Sequence, residues 1–171
     1  MGLFGFFTGK KEVELDTAKS DKSKVLMREI FDKQVENSSA YKLLYAYSED
    51  IGSTNFMVLR TVSYKYRSFI IGYNENDLSL IFLEISPDLS QVGEAHIYRP
   101  QDVKKTNFTK MVGSYYLQYG SSFKKEFFNF FVPETIEDIV NHDWYDEETF
   151  TYIDQREEHP GWVAFWNTFC Q

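Results

Sequence analysis

The polar and apolar positions change period twice along the chain. Between residues 21 and 36, Leu26, Ile30, Phe31 and Val35 fall at helical spacing among Lys22, Lys24, Arg28, Asp32 and Lys33. This spacing predicts a helix over 21–36, capped by Ser20 or Asp21. From Tyr41 the period shortens to that of strands. Residues 41–47 are followed by a predicted loop at Asp50-Ile51-Gly52-Ser53 and then by a β-branched and aromatic run from Phe56 to Tyr66. The runs 69–73 and 78–85 flank Asn74-Glu75-Asn76-Asp77, whose Asn and Asp residues suit a tight hairpin turn. A turn at Pro87-Asp88, a short strand from Ala95 to Arg99, and a last hairpin pairing 111–119 with 123–132 across Gly120-Ser121-Ser122 complete the strand region. Helical spacing returns after Pro133. Thr135 with Asp138 reads as a capping box, and Trp162, Phe165, Trp166 and Phe169 form one aromatic stripe behind Pro160.

The pattern predicts a mostly β fold, about seven strands in an antiparallel bent sandwich or partly open barrel, with an N-terminal helix and short C-terminal helices. The expected layout is an arm over 1–16 and a single domain over 17–171, made of the helix 21–36, a β-sandwich at about 40–132 and an acidic helical segment 134–171. Composition agrees, because 16 Phe, 12 Tyr and 3 Trp make aromatics 18% of the 171 residues, and flat rings pack well on pleated surfaces.

Charge changes the picture more than composition does. Of the net −8, residues 134–171 supply ten acids against the single base Arg156, while 101–133 carries five lysines against Asp102 and Glu126. So short a basic stretch is a poor footprint for nucleic acid, which is not an expected partner. One cysteine, Cys170, permits no internal disulfide, and a cytoplasmic setting is expected. The opening Met1-Gly2-Leu3-Phe4-Gly5-Phe6-Phe7 lacks the basic start of a signal peptide, and no apolar run is long enough to span a membrane. Shallow membrane contact by residues 1–7 is conceivable but not favoured, since Phe6 stands where a myristoylation pattern has Ser or Thr.

The stretches Tyr66-Arg67-Ser68-Phe69-Ile70-Ile71-Gly72-Tyr73, Leu78 to Ile85, Tyr98-Arg99-Pro100-Gln101-Asp102-Val103-Lys104-Lys105 and Phe130-Phe131-Val132-Pro133 follow one another in an order that resembles bacterial pleckstrin-homology-like domains. The resemblance covers about residues 40–142 and implies a bent seven-stranded sandwich closed at one end by a C-terminal helix. It also implies a binding or assembly role with no shared catalytic residue. The chain departs from the pattern in its acidic, interrupted stretch from His142 to Pro160, where such domains have one long helix.

Chemistry-bearing residues are few. Members of that family that bind phosphoinositides carry Lys and Arg in their first strands, which draws attention to Arg60, Lys65 and Arg67. Strand alternation, however, puts Arg60 on the face opposite Lys65 and Arg67. His142, Asp146, Glu147 and His159 are metal-ligand types, but they lack the spacing of a zinc helix or a calcium loop, so no metal or other cofactor is expected. Cys170 lies beside the terminus, His96 reads as a structural imidazole, and neither a nucleophile elbow nor a phosphate-cradling glycine loop occurs. No catalytic residue is therefore expected.

The expected function is a non-catalytic protein-binding or assembly module that binds a protein partner or itself through a sheet edge. Its candidate partner surface is Trp144, Tyr145, Asp146, Glu147 and Glu148. An acidic inhibitor or immunity-type protein for a basic partner is the alternative, and a small metal-dependent hydrolase the second alternative.

Overall fold

In the computed structural model, which describes residues 15–56, 59–120, 125–140, 142, 146 and 151–170, the first element is helix α1, Thr17–Gln34. It begins four residues before the expected start because Asp16 is the cap, its side chain accepting from the Lys19 N–H at 3.0 Å. Ser20, the expected cap, is buried instead. It exchanges hydrogen bonds with the backbone of Asp154, whose N–H donates to Ser20 Oγ at 2.9 Å. The helix stops two residues short of the expected end, where Val35 turns extended and Asn37 enters the left-handed region at φ 54°. Arg28 fastens the exit, donating to the carbonyls of Ser38 at 3.1 Å and Tyr41 at 2.7 Å.

Seven antiparallel strands follow: β1 Lys42–Phe56, β2 Leu59–Asn74, β3 Ser79–Ile85, β4 Val92–Tyr98, β5 Val103–Thr109, β6 Ser114–Gly120 and β7 Lys125–Phe131. They form a single sheet in the order β4-β3-β2-β1-β7-β6-β5, which is not closed into a barrel. The expected number of strands holds through two compensating differences. The expected loop at 50–53 lies inside β1, and the runs 56–66 and 69–73 belong to one strand, β2. Conversely, β5 is a separate strand, and Met111 to Gly113, expected to open a strand, form the β5–β6 turn, with Gly113 at φ +67° and Met111 91% exposed. Asn74 and Asp77 do shape the β2–β3 turn, accepting from the N–H groups of Asn76 and Ser79.

Two hydrophobic clusters lie on opposite faces of β1–β3. On one face, Met27, Ile30 and Phe31 of α1 pack against Tyr45, Ile70, Ile81 and Leu83. A glycine at position 72 makes this possible, because a Cβ there would collide with the Phe31 ring. On the other face, Leu44, Phe69, Ile71, Leu80 and Phe82 meet helix α2, His159–Phe169, together with Tyr115, Leu117 and Phe130 from β6 and β7. The aromatic stripe of Trp162, Phe165, Trp166 and Phe169 is thus core, gripped between the two halves of the bent sheet. Gly161 lets the Tyr73 hydroxyl approach, since a Cβ there would stand 2.8 Å from it. The expected helix after Pro133 is reduced to a 3₁₀ turn, Ile136–Asp138. The capping box is present, with Asp138 accepting from Thr135 N–H at 3.2 Å.

The halves of the sheet meet at a thin seam. β1 and β7 share the register pair Tyr47↔Phe131, whose rings stack at 5.0 Å. Beside that pair the buried amide of Gln155 serves as a piece of strand. Its Oε1 accepts from Tyr45 N–H at 2.9 Å, and its Nε2 donates to the carbonyls of Tyr45 at 2.9 Å and Pro133 at 2.6 Å.

Candidate functional site

Below this seam the chain encloses an open cleft of about 780 Å³. Phe108 and Val112 from the β5–β6 hairpin and Phe131 from β7 give it an apolar wall. Glu134, Glu137, Asp138, His142, Arg156 and His159 give it a charged one. The charged residues sit there because the 3₁₀ turn after β7 and the turn into α2 are pinned together, through the Thr135↔Asp154 bridge and the Gln155 N–H to Glu134 carbonyl bond of 2.8 Å.

Each histidine in the cleft faces a carboxylate. His142 Nδ1 lies 3.1 Å from Glu49 Oε1, and His159 Nδ1 lies 3.4 Å from Glu134 Oε1. Arg156 is bound bidentately to Asp154, at 2.8 and 2.6 Å, which holds that carboxyl below its usual range. His142 Nε2 also approaches the Tyr47 hydroxyl at 3.4 Å, giving a Tyr–His–Glu line. Its electrostatics oppose nucleophilic use. Burial first, then the charges of Glu49 and Asp138 with Tyr45, push the Tyr47 hydroxyl well above the ordinary tyrosine value, so it keeps its proton. Burial raises the Cys170 thiol in the same way, with Thr106 acting in the opposite sense, although the residue as a whole is exposed at the end of α2.

The residues singled out by sequence are not gathered into one place. Among the described residues no group of three or more His, Cys, Asp or Glu could hold a metal ion. His142 and His159 line the same cleft, while Asp146 is exposed and is not among the residues lining it. Trp144, Tyr145, Glu147 and Glu148 lie outside the described residues, so four of the five positions of the expected partner surface carry no structural account. Arg67 forms a bidentate pair with Glu84 at 3.1 and 2.7 Å. Arg60 and Lys65 stand in backbone register with Asn55 and Asp50 on β1. His96 is exposed on β4, the edge strand. The residue that sequence reading missed is Gln155, a polar amide in an acidic stretch with no local sign that it would reach two other segments of the chain.

The other notable surface is the sheet's own border. β4 pairs with β3 and β5 with β6, each leaving one flank open among the described residues, and their side chains are mostly exposed, with Ile97 50% and Phe108 43% accessible. Among the described residues no helix is long and apolar enough to cross a membrane. Comparison with family models, curated proteins and solved structures found no match to this chain.

Proposed function

We propose that this chain is a non-catalytic assembly module that joins a protein partner, or a second copy of itself, by adding a strand to an open flank of its sheet. The observation that carries this reading is the unclosed strand order β4-β3-β2-β1-β7-β6-β5, which leaves backbone donors and acceptors at both ends of the sheet. The pleckstrin-homology-like resemblance belongs to the same proposal, and a seven-stranded sheet with a C-terminal helix against one face supports it. So does a cytoplasmic setting, in which the single thiol stays reduced.

A second reading is favoured by one feature, the acidic rim formed by Glu134, Glu137 and Asp138 on the cleft, which suits a basic partner. The two readings part under charge reversal at Glu147 and Glu148. Edge assembly survives it, whereas capture of a basic partner slows and loses its salt dependence. The first test is the mass of the untagged protein by light scattering at low and high salt, with bound metal assayed in parallel. A salt-resistant, metal-free oligomer supports assembly through backbone pairing. A monomer carrying stoichiometric metal overturns it and revives the hydrolase alternative.

A further inference from the structure

Of the two strands that border the sheet, β4 is the less guarded. Val92 to Ile97 are all exposed although Ile81, Phe82, Leu83 and Ile85, their partners on β3, are buried, so among the described residues no helix overhangs this border. The exposed side chains are sorted by face. Val92, Ala95 and Ile97 stand opposite Ile85, Leu83 and Ile81 on the α1 side, while His96 stands opposite Phe82 on the α2 side, which alternation extends to Glu94. Gly93 is the extra residue of a bulge, since Gly93 and Glu94 together face the single Glu84.

Resting on the edge-assembly reading, we propose that the strand added at this border is β4 of a second copy of the chain, paired antiparallel about a two-fold axis at Ala95. Such an axis sets one residue opposite its own copy, and directly opposed side chains share a face, so the choice of that residue fixes the register. With Glu94 on the axis two acids would meet, and with His96 there two imidazoles would. With Ala95 on the axis, Glu94 of each copy faces His96 of the other, a carboxylate against a ring that can donate to it in either protonation state, and the pair forms twice. On the other face the same register, with Gly93 left out as the bulge residue, brings Val92, 39% exposed, beside Ile97 of the second copy. A bulge on a border can blunt pairing, but this one sits at the start of β4 and leaves Ala95 to Tyr98 in unbroken register. The border at β5 offers no such match. It carries Lys104 and Lys105 and no acid, so no two-fold register there opposes unlike charges, and lysines are a usual guard on an edge; β4 has no lysine, arginine or proline.

The test uses the full chain with Cys170→Ser as background. Ala95→Cys is expected to give a covalent dimer on mild oxidation, because a residue on the axis meets its own copy at disulfide distance, and Thr106→Cys, in the middle of β5, none. Glu94→Lys is expected to halve the mass seen by light scattering at a concentration where the parent chain is dimeric. Adding His96→Glu to it is expected to restore the dimer by setting a lysine against a glutamate twice, with the far-ultraviolet circular dichroism unchanged throughout, since both positions are exposed. A dimer that Glu94→Lys leaves intact, or one that cross-links through Thr106→Cys instead of Ala95→Cys, overturns the β4 pairing and leaves edge assembly standing. A mass that keeps climbing with concentration overturns the two-fold arrangement in favour of β4 joining β5 of the next copy. A chain that is monomeric at every concentration overturns self-association through any edge.

Discussion

In β1 to β3 the buried stretches read as unbroken apolar runs, Leu44 to Tyr47, Phe69 to Tyr73 and Leu80 to Leu83, whereas in β6 buried Tyr115 and Leu117 alternate with half-buried Tyr116 and Gln118. The difference follows from what covers each half. The first half has α1 on one face and α2 on the other, so both sets of alternating side chains are removed from water. In the second half, α2 covers the face that carries Tyr115, Leu117 and Phe130, and Phe127 on the opposite face is 68% exposed. A continuous apolar strand in an antiparallel sheet is thus a statement about a neighbouring element, here a helix that precedes the sheet in sequence.

Substitutions can test how far that contrast goes. The largest effect is expected at Phe31, fully buried between α1 and Gly72. Phe31→Ala should cost about 4 kcal/mol in chemical denaturation, since a cavity opens in the doubly covered half. Gln155→Ala, at the seam, should cost about 3 kcal/mol, because it orphans the buried N–H and C=O of Tyr45 together with the Pro133 carbonyl. Gln155→Glu keeps the shape but lacks the donor and brings a charge to a buried site, so a loss larger than that of Gln155→Ala is expected; no loss would show that shape alone matters there. Gly72→Ala should cost about 2 kcal/mol by displacing the Phe31 ring, and the added substitution Phe31→Leu should recover part of it.

Acid titration should give a smaller signal. Arg67 holds the Glu84 carboxyl below its ordinary value, so the folded state binds that proton less readily than the unfolded chain. The contribution is fully present above the unfolded carboxyl value and fades as pH falls through the lower folded one. For a pair this exposed it should amount to roughly 0.5 kcal/mol, and Arg67→Gln should remove that pH dependence. The smallest effect is expected at the uncovered face, where Phe127→Ala should stay within about 0.5 kcal/mol. A loss as large as that of Phe31→Ala would mean that the outer face of β7 is covered too.

Much of the fold was legible because burial leaves a period. The β2–β3 turn at Asn74 to Asp77 and the α2 stripe read directly from spacing, and so did the α1 stripe at Ile30, Phe31 and Val35, whereas Met27 is buried where Leu26, 40% exposed, was expected. The far part of the β1–β2 ladder, from Asp50↔Lys65 to Phe56↔Leu59, did not, because a strand that accompanies a single neighbour need not bury one face, and Asp50-Ile51-Gly52-Ser53 has the composition of a loop. Met111 and Val112 misled in the opposite sense, being apolar residues exposed in a turn. Of the cleft, the two histidines and the acids were visible as residue types. Their separate pairing with Glu49 and Glu134 depends on contacts between distant parts of the chain, which no local window contains.

The placement of α2 also bears on how the protein comes into being. During synthesis α1 emerges first and can cover one face of β1–β3 as soon as those strands pair. The opposite face, with Leu44, Phe69, Ile71, Leu80 and Phe82, has to wait for Trp162 to Phe169, which are made only after β4 to β7. Until the ribosome has passed that helix, half of the sheet is finished in pairing and bare on one side, a sticky surface of the kind that chaperones attend.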